Sequence, residues 1–552
     1  AVAVERLRAA FDGLPGAASA SLSLTGPPVI ALESRRIIKA EVQRLSILAT
    51  VLALGLLLVV TRTWRFVLLG VMPMAAAVAA GIAAVVGLLG SIHGITIAFG
   101  ATLVGVALDY PIHLFLHRRA GETPKAAMVR IRRPLWLGVA TTALGFAALC
   151  LSGVSGLLQL GVFAIAGVIA AALTTHEVLP GLMGEAVPRR IPVPAPGGRW
   201  PRFTAAALLC TAAAVILVLP PDWETDLERL SPVPDTLKRL DNRLRAAAGL
   251  AEPRDMLVVS GRDRQQALAR TEQVVADLRG RDLATALPLT DWLASVERQR
   301  RRAQGLPGED GLRQSVRQAL AELPLRPEAF EPFIGDVVAS RGMEPLRPAA
   351  LDGGLAALAG QRLIEARGQW WSLVPLRDVA DRQGLAALAA AHAGAHFLDL
   401  KTETSALVAG YRDRALWHFA IGAALIGLCL LSLVGRSRPT LRVAVVAFGG
   451  ALLAVAALSL AGVPLSLFSL VSLLLVVGLG LDYGLFTNTG AATGHAMASA
   501  TVCAASTVLA FAVLASAEVV VLADIGRTVA AGAFAAWLLA WLLMPREARP
   551  PS

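Results

Sequence analysis

Two aspartates of this 552-residue chain lie inside segments that are otherwise apolar. Asp109 and Asp482 are each followed by a tyrosine, Tyr110 and Tyr483. An acidic side chain at mid-membrane depth costs about 2.5–3.5 kcal/mol to insert, and such residues commonly mark ion or proton pathways. Two carboxyls that face each other titrate as a coupled pair. We therefore interpret these four residues as a proton relay, with a purely structural role as the alternative.

Hydroxyl-bearing residues and glycines accompany both aspartates. A pair of hydroxyls one helix later in each half could hydrogen-bond the carboxyls or hold a chain of water, although bonding to their own helix backbone is an equal alternative. The glycine one turn before each aspartate allows neighbouring helices to approach closely, and simple packing is the favoured interpretation there. These supporting residues are Thr141, Thr142, Ser506, Thr507, Gly105 and Gly478.

The two aspartates belong to an internal repeat. Residues 105–110 match residues 478–483 at a shift of 373, and residues 141–146 match 506–511 at a shift of 365. Six predicted spans separate the soluble segments 1–44 and 221–413, so both copies keep the same orientation. This is a parallel repeat about an axis normal to the membrane, an arrangement known in transporters.

The composition is that of a membrane protein. Apolar residues make up 55% of the chain and charged residues only 16%, against about 25% charge in average soluble proteins. A span needs about 20 apolar residues, and eleven stretches qualify. They lie near 45–61, 66–89, 95–116, 134–153, 157–180, 203–220, 415–434, 441–462, 465–487, 496–516 and 519–544.

The formal net charge of +11 resides in short segments between the spans. Residues 221–413 hold 26 Lys+Arg and 28 Asp+Glu, whereas the rest of the chain holds 25 and 12. This distribution argues against nucleic-acid binding. If the spans alternate, all the basic segments lie on one side, which the positive-inside rule makes the cytoplasm. These segments are 62–65, 117–133, 189–202, 436–442 and 546–549.

The predicted fold class is an α-helical polytopic membrane protein with an α+β domain between its halves. The second half has six spans and the first half five, so we expect one further span and most of one outer domain upstream, twelve spans in all. The predicted segments are the end of a first outer domain (1–44), a first membrane half (45–182), a cytoplasmic loop (183–202), a span opening the second half (203–220), an outer domain (221–413), five further spans (414–544) and a cytoplasmic tail (545–552).

The outer segment alternates strand and helix patterns, which is typical of a small α+β domain. The strand candidates are 254–260, 370–376 and 395–400, with helices at 264–278 and near Leu385. An Asp255→Asn change in this segment is expected to be nearly neutral for any membrane function.

Several chemistries are excluded by the residues present. The four cysteines lie in apolar runs without CxxC spacing, which favours neither a disulfide framework nor a metal site. None of the four lysines follows a glycine, so a Walker A phosphate loop is absent. We therefore expect no enzyme activity, catalytic residue, metal or cofactor.

Other ionisable residues are weaker candidates. Asp524 and Arg527 lie three residues apart early in the last span, and a structural ion pair is favoured for them. His113 lies one turn after Asp109, where it could relay protons. His176 stands near a cytoplasmic helix end, where interfacial placement explains it.

The repeated Gly-x-x-x-Asp-Tyr motif, with an outer domain between its copies, resembles the resistance–nodulation–division (RND) superfamily. Residues 226–234, 241–245 and 411–417 resemble its MMPL-type predicted exporters in particular. The resemblance covers nearly the whole chain, apart from the expected upstream span and domain. It implies an RND transporter bundle in the bacterial inner (plasma) membrane, driven by protons and carrying a porter-like periplasmic domain.

The function implied is proton-motive-force-driven export of a hydrophobic or lipid-like substrate, such as a lipid or a lipid-linked aryl-polyene pigment. Expected partners are protons, membrane lipids and that substrate, and a homo-oligomer is compatible with the sequence. One alternative is a protein-secretion auxiliary or a sterol-sensor-like protein on the same scaffold. An intramembrane aspartyl protease is disfavoured, because those enzymes use Gly-x-Gly-Asp and here Leu481 separates Gly480 from Asp482.

Overall fold

The computed structural model describes most of the chain and divides it into two compact units. One unit comprises Ala1–Pro234 with Ser405–Ser552, and the other comprises Asp235–Thr404. We call them the membrane unit and the α+β unit. The described residues are 2–15, 19–119, 121–151, 155–184, 193, 200–224, 229, 233–247, 254–321, 323, 325–435, 437–487 and 493–544. Most of the predicted loop 183–202, residues 226–228 and 230–232, and the tail 545–552 lie outside them.

The first part of the membrane unit is almost entirely helical. Its helices are α1 (Val2–Asp12), α2 (Pro27–Thr61), α3 (Trp64–Leu89), α4 (Gly94–His117), α5 (Pro124–Cys150), α6 (Ser155–Leu173), a π-helical turn (Thr174–Val178), α7 (Leu179–Leu182) and α8 (Trp200–Val218). Helix α2 starts on two prolines, which are preorganised for a first helical turn. The predicted outer-domain remnant 1–44 therefore contains the beginning of the first long helix.

The α+β unit carries the predicted alternation of strands and helices. Its elements are α9 (Asp235–Ala247), β1 (Asp255–Gly261), α10 (Arg264–Arg279), β2 (Thr285–Ala286), α11 (Val296–Gln304), α12 (Glu309–Ala319), α13 (Glu331–Ser340), α14 (Gly353–Arg362), β3 (Leu363–Ala366), β4 (Gln369–Arg377), α15 (Arg382–Ala391) and β5 (Ala395–Asp399). The three strands and two helices predicted from the sequence are all confirmed, to within a few residues at their ends.

The five strands form one antiparallel sheet in the order β2-β4-β1-β5, with β3 also paired to β4. With β3 set aside, β1-α10-β2-β4-α15-β5 is the ferredoxin-like βαββαβ arrangement, and α11 to α14 are inserted between β2 and β3. Alternate residues of β1 are buried. Leu257 and Val259 lie in a core with Val274, Val374 and Leu385.

The second half of the membrane unit resumes with α16 (Leu400–Val434) and continues through α17 (Arg438–Leu460), α18 (Leu467–Thr487), α19 (Thr493–Ala515) and α20 (Val520–Leu542). Among the described residues, nine helices are long and apolar enough to cross a membrane: α2, α3, α6 with α7, α8 and α16 to α20. The two further predicted spans are also helical, as α4 with 24 residues and α5 with 27.

Asp255 is a poor site for a neutral substitution, contrary to the expectation from the sequence. It is 7% exposed, and its carboxylate accepts hydrogen bonds from the Arg382 guanidinium at 2.9 and 3.3 Å. Asparagine would lose the charge-assisted pairing with Arg382, although that guanidinium also lies 3.6 Å from the Asp399 carboxylate. Asp282, exposed in the turn between α10 and β2, is the better control residue.

We expect Leu257→Ala to destabilise the α+β unit. Leu257 is fully buried in the central strand β1, and Leu→Ala changes in cores lower the free energy of unfolding by about 2–5 kcal/mol. Hydrogen exchange of the β4 amides in the full chain measures this change. Leu355→Ala is the matched control, because Leu355 is 52% exposed; equal loss of protection in both variants would contradict the assignment of this core.

Candidate functional site

Asp109 and Asp482 lie within α4 and α18, and both are buried. Their exposed fractions are 1% and 3%. Every residue of α18 from Ser469 to Thr487 is buried, as expected of a helix that is hydrophobic all round and lies inside a bundle. The two carboxyls are therefore enclosed by protein and do not face the lipid.

The packing around the aspartates crosses between the two halves of the membrane unit. Helix α4 packs on α19 and helix α5 packs on α18, so each aspartate-bearing helix contacts the hydroxyl-bearing helix of the other half. The Asp482 carboxyl fills the space where a Cβ of Gly138 would stand. On the same helix pair, a Cβ added at Gly478 would lie 3.0 Å from the Oγ1 atom of Thr142. Close approach between α5 and α18 thus depends on these two glycines.

The predicted relay residues share one electrostatic environment. Asp109 and Asp482 are close enough for their charges to interact. The thiol of Cys503 and the hydroxyl of Thr507, both on α19, lie beside Asp109, and Thr507 also lies beside Tyr483. Helix α19 therefore links the two Asp-Tyr pairs.

Several polar atoms at this site are buried and have no hydrogen-bond partner among the described residues. Buried polar groups are hydrogen-bonded in the large majority of cases, so a cluster of exceptions around two acids is a candidate functional feature. The atoms are both carboxyl oxygens of Asp109, Oδ1 of Asp482, the hydroxyls of Tyr110 and Tyr483, Oγ of Ser506 and Oγ1 of Thr507.

Thr141 behaves differently from the other hydroxyl residues. Its Oγ1 donates to the carbonyl oxygens of Leu137 at 2.9 Å and Gly138 at 3.0 Å. This is back-bonding to its own helix, the alternative given above for all four hydroxyls. Thr141 therefore supports the helix that carries Gly138, and Thr142, Ser506 and Thr507 remain the candidates for contact with a proton path.

The sequence did not single out Gly138 and Cys503, although both touch the site. They occupy equivalent positions of the repeat, at the same shift of 365 that relates the hydroxyl pairs. Gly138 lies against Asp482, and Cys503 donates to the Asp109 carbonyl oxygen at 3.7 Å. Extending the repeat alignment by one turn towards the start of each helix is the signal that finds them.

A buried polar residue fastens the beginning of each aspartate-bearing helix. Gln159, on α6, accepts hydrogen bonds from the His93 backbone N–H at 2.8 Å and the Thr96 hydroxyl at 3.1 Å, just where α4 begins. Its repeat equivalent is Asp524 on α20, which interacts with Ser466 beside the start of α18. Both contacts satisfy polar groups next to a helix N-terminus and so fix the position of the helix that carries an aspartate.

The weaker candidates form local pairs. The Asp524 carboxylate lies 3.7 Å from the Arg527 guanidinium, which is the pairing that the sequence favours. His176 Nδ1 lies 2.8 Å from the carboxylate of Glu177, whose side chain is 70% exposed. Neither pair reaches Asp109 or Asp482 through a described contact.

Glu41 is a further buried acid that the sequence reasoning missed. It lies on α2, is 7% exposed, and accepts hydrogen bonds from the backbone N–H groups of Glu518 and Val519. Val519 is the N-cap of α20, where a carboxylate is favoured by the unpaired N–H groups and the helix dipole. Glu41 thus joins the first half to the last helix of the second.

The chemistry available at the centre of the membrane unit is that of protons. Carboxyl, phenol, hydroxyl and thiol groups meet there, and no described group of three or more His, Cys, Asp or Glu side chains could hold a metal ion. Protonation neutralises a carboxylate and adds a hydrogen-bond donor. The arrangement can therefore respond to proton binding.

Comparisons with known proteins define the class of this fold. No protein-family model and no curated protein matches the chain. Among solved structures it is similar to SecDF, a translocon-associated membrane protein from Thermus thermophilus, with a TM-score of 0.52 and 14% identity, over 91% of this chain and 62% of SecDF. SecDF in its super-membrane-facing form gives a TM-score of 0.50 and 14% identity, over 92% and 61%.

These similarities identify the fold. The protein is a polytopic α-helical membrane protein with an RND-type fold and a small α+β unit. The chain spans about three fifths of the length of the SecDF structures it matches. The expected membership of the MMPL-type subgroup remains a prediction.

We expect Gly138→Ala to disturb the Asp482 carboxyl, whereas Gly105→Ala should be tolerated. A Cβ at residue 138 would overlap the carboxyl, but a Cβ at residue 105 would lie 3.5 Å from the Cβ of Ala510, an ordinary contact. Overpacking of this kind typically costs about 1–3 kcal/mol. Infrared spectra of the carboxyl groups measure the change; an unaltered spectrum in Gly138→Ala would contradict the contact.

Proposed function

We propose that this protein is a proton-motive-force-driven exporter of a hydrophobic or lipid-like substrate in the bacterial inner membrane. The observation that carries the proposal is the pair of Asp-Tyr motifs, each buried against the hydroxyl-bearing helix of the other half. On the orientation given by the basic loops, the α+β unit lies in the periplasm. Residues 221–413 then form a porter-like domain, as the resemblance to MMPL-type exporters implies.

The proposed proton coupling follows from charge. With both carboxyls ionised, Asp109 and Asp482 repel each other inside a poorly hydrated bundle, where such interactions are stronger than in water. Binding a proton removes this repulsion and so favours a different packing of α4 and α18. One charge crossing the membrane is worth about 2.3 kcal/mol per 100 mV, which is enough to bias two conformations of this unit.

A lipid-like substrate is supported by the surface of the α+β unit. The insert between β2 and β3 exposes seven large apolar side chains within the described part of residues 323–358, and apolar surface of this kind can contact a ligand or a membrane. Helices α12, α13 and α14 each bury a single residue. The exposed residues are Leu323, Leu325, Phe333, Met343, Leu346, Leu355 and Leu358. Apolar groups of a substrate or of the membrane would cover such a surface.

A second candidate is a protein-secretion auxiliary, which the similarity to translocon-associated SecDF favours. Both functions would use the same proton site, so the substrate distinguishes them. In a deletion strain, altered lipid or pigment content of the outer membrane supports export. Accumulation of unprocessed secretory proteins with normal lipids supports the secretion role instead.

We expect Asp109→Asn or Asp482→Asn to abolish proton-driven transport while leaving expression and folding intact. Asparagine keeps the size of the side chain and removes its titration, and it spares the bundle a buried charge. Transport is measured as the proton-gradient-dependent delivery of the affected lipid or pigment to the outer membrane.

Asp282→Asn, at an exposed position between α10 and β2 and outside the insert, is the matched control and should transport normally. Normal transport by both membrane variants would leave the paired aspartates as structural residues. The amount of protein recovered in the membrane distinguishes a specific loss of transport from a loss of the folded protein.

A further inference from the structure

A buried histidine continues the polar cluster from Asp109 towards the 117–133 loop. His113 lies one helical turn after Asp109 on α4 and is 1% exposed. Its Nδ1 atom lies 3.1 Å from the hydroxyl of Ser499, and its Nε2 atom lies 3.7 Å from the thiol of Cys503. The same thiol donates to the backbone carbonyl oxygen of Asp109 at 3.7 Å. Both ring nitrogens of His113 therefore have polar neighbours, one of which also touches the aspartate.

His117 extends this line by one more turn, to the end of α4. Its Nδ1 atom lies 2.9 Å from the carbonyl oxygen of His113, and the two ring centroids are 5.7 Å apart. A carbonyl can only accept, so Nδ1 carries the hydrogen in neutral His117 and Nε2 is its basic atom. His117 is 8% exposed and lies where the helix meets the 117–133 loop.

The charged groups around this end of α4 are basic or paired. Arg130 of α5 donates to the His117 carbonyl oxygen and forms an ion pair with Glu122 at 3.0 Å. Arg118 donates to the carbonyl oxygens of Glu122 and Gly184. The electrostatic neighbour of His113 itself is His117, so a proton on one ring disfavours a second on the other. Two such rings carry protons one at a time.

The other half of the repeat has no counterpart of this cluster. At the shift of 373, His113 corresponds to Phe486, and the two rings stack at 3.6 Å between centroids. At the shift of 365, Ser499 and Cys503 correspond to Pro134 and Gly138. Each polar member is thus matched by a residue that cannot exchange a proton through its side chain. A role in packing alone does not require this difference.

We infer that His113 and His117 form the branch of the proton path that joins Asp109 to the side of the 117–133 loop, which the positive-inside rule makes the cytoplasm. The inference rests on the proposed function. An imidazole can accept a proton at one nitrogen and release one from the other. Each ring is therefore neutral again after a proton has passed through it.

The test measures how fast the buried carboxyls become protonated. The full chain is reconstituted in lipid vesicles, the pH is lowered on the side of the 117–133 loop, and the infrared band of the protonated carboxyls is followed in time. In His113→Phe the final band should equal that of the unmodified protein, but its rise should be slower by roughly 100-fold, the usual contribution of a positioned proton-transfer group. Phenylalanine is the residue that the repeat places at the equivalent position.

His113→Gln is the second variant, which keeps a polar side chain and removes the titration; it should be slow as well. His176→Phe is the matched control and should keep the original rate, since His176 pairs with Glu177 outside this cluster. An original rate in both His113 variants, or an equally slow His176→Phe, would overturn the inference. A purely structural role would change the final band or the thermal stability and not the rate alone. The proposed function requires that the unmodified protein show a titrating carboxyl band and that Asp109→Asn and Asp482→Asn remove it. If no such band is found, the proposed function itself fails.

Discussion

The exclusion of water from the two carboxyls is the constraint on which the membrane unit depends. An ionised carboxylate in an apolar bundle is unfavourable unless polar groups or a proton compensate it. Among the described residues both carboxyl oxygens of Asp109 and Oδ1 of Asp482 lack a hydrogen-bond partner, so a bound proton is the compensation that the site leaves open. The aspartate-bearing helices must stay in contact with α5 and α19 to keep the carboxyls enclosed. Gly138 allows the contact between α5 and α18, because the Asp482 carboxyl occupies the space that a side chain at this position would fill.

Much of this architecture could be predicted from the sequence, because hydropathy and repeats are local properties. The eleven helices, the strands of the α+β unit and the equivalence of the two Asp-Tyr motifs were all accessible in this way. The pairing of each motif helix with the other half was not, since it depends on how the helices pack. For the same reason Glu41 was overlooked: its partners, the N–H groups of residues 518 and 519, lie far away in the chain.

Polar side chains hold the beginnings of the helices around the site. Gln159 and Asp524 hold the starts of α4 and α18, and Glu41 holds the start of α20. Because each is a side chain of one helix bonded to the end of another, the beginnings of these helices are held by polar contacts. The middles of the helices that carry the carboxyls pack through buried apolar side chains.

The exchange of partners between halves has an evolutionary consequence. A single repeat carries an aspartate but lacks the hydroxyl-bearing helix of the other half that packs against it. An ancestor with one repeat could therefore have had a complete site only as a dimer of two identical chains. In such a dimer any substitution appears twice. The contrast of His113 with Phe486, and of Cys503 with Gly138, could arise only after the two copies were encoded separately, in one gene or in two. Duplication thus allowed the two sides of the site to diverge and one of them to acquire its own connection to the aqueous phase.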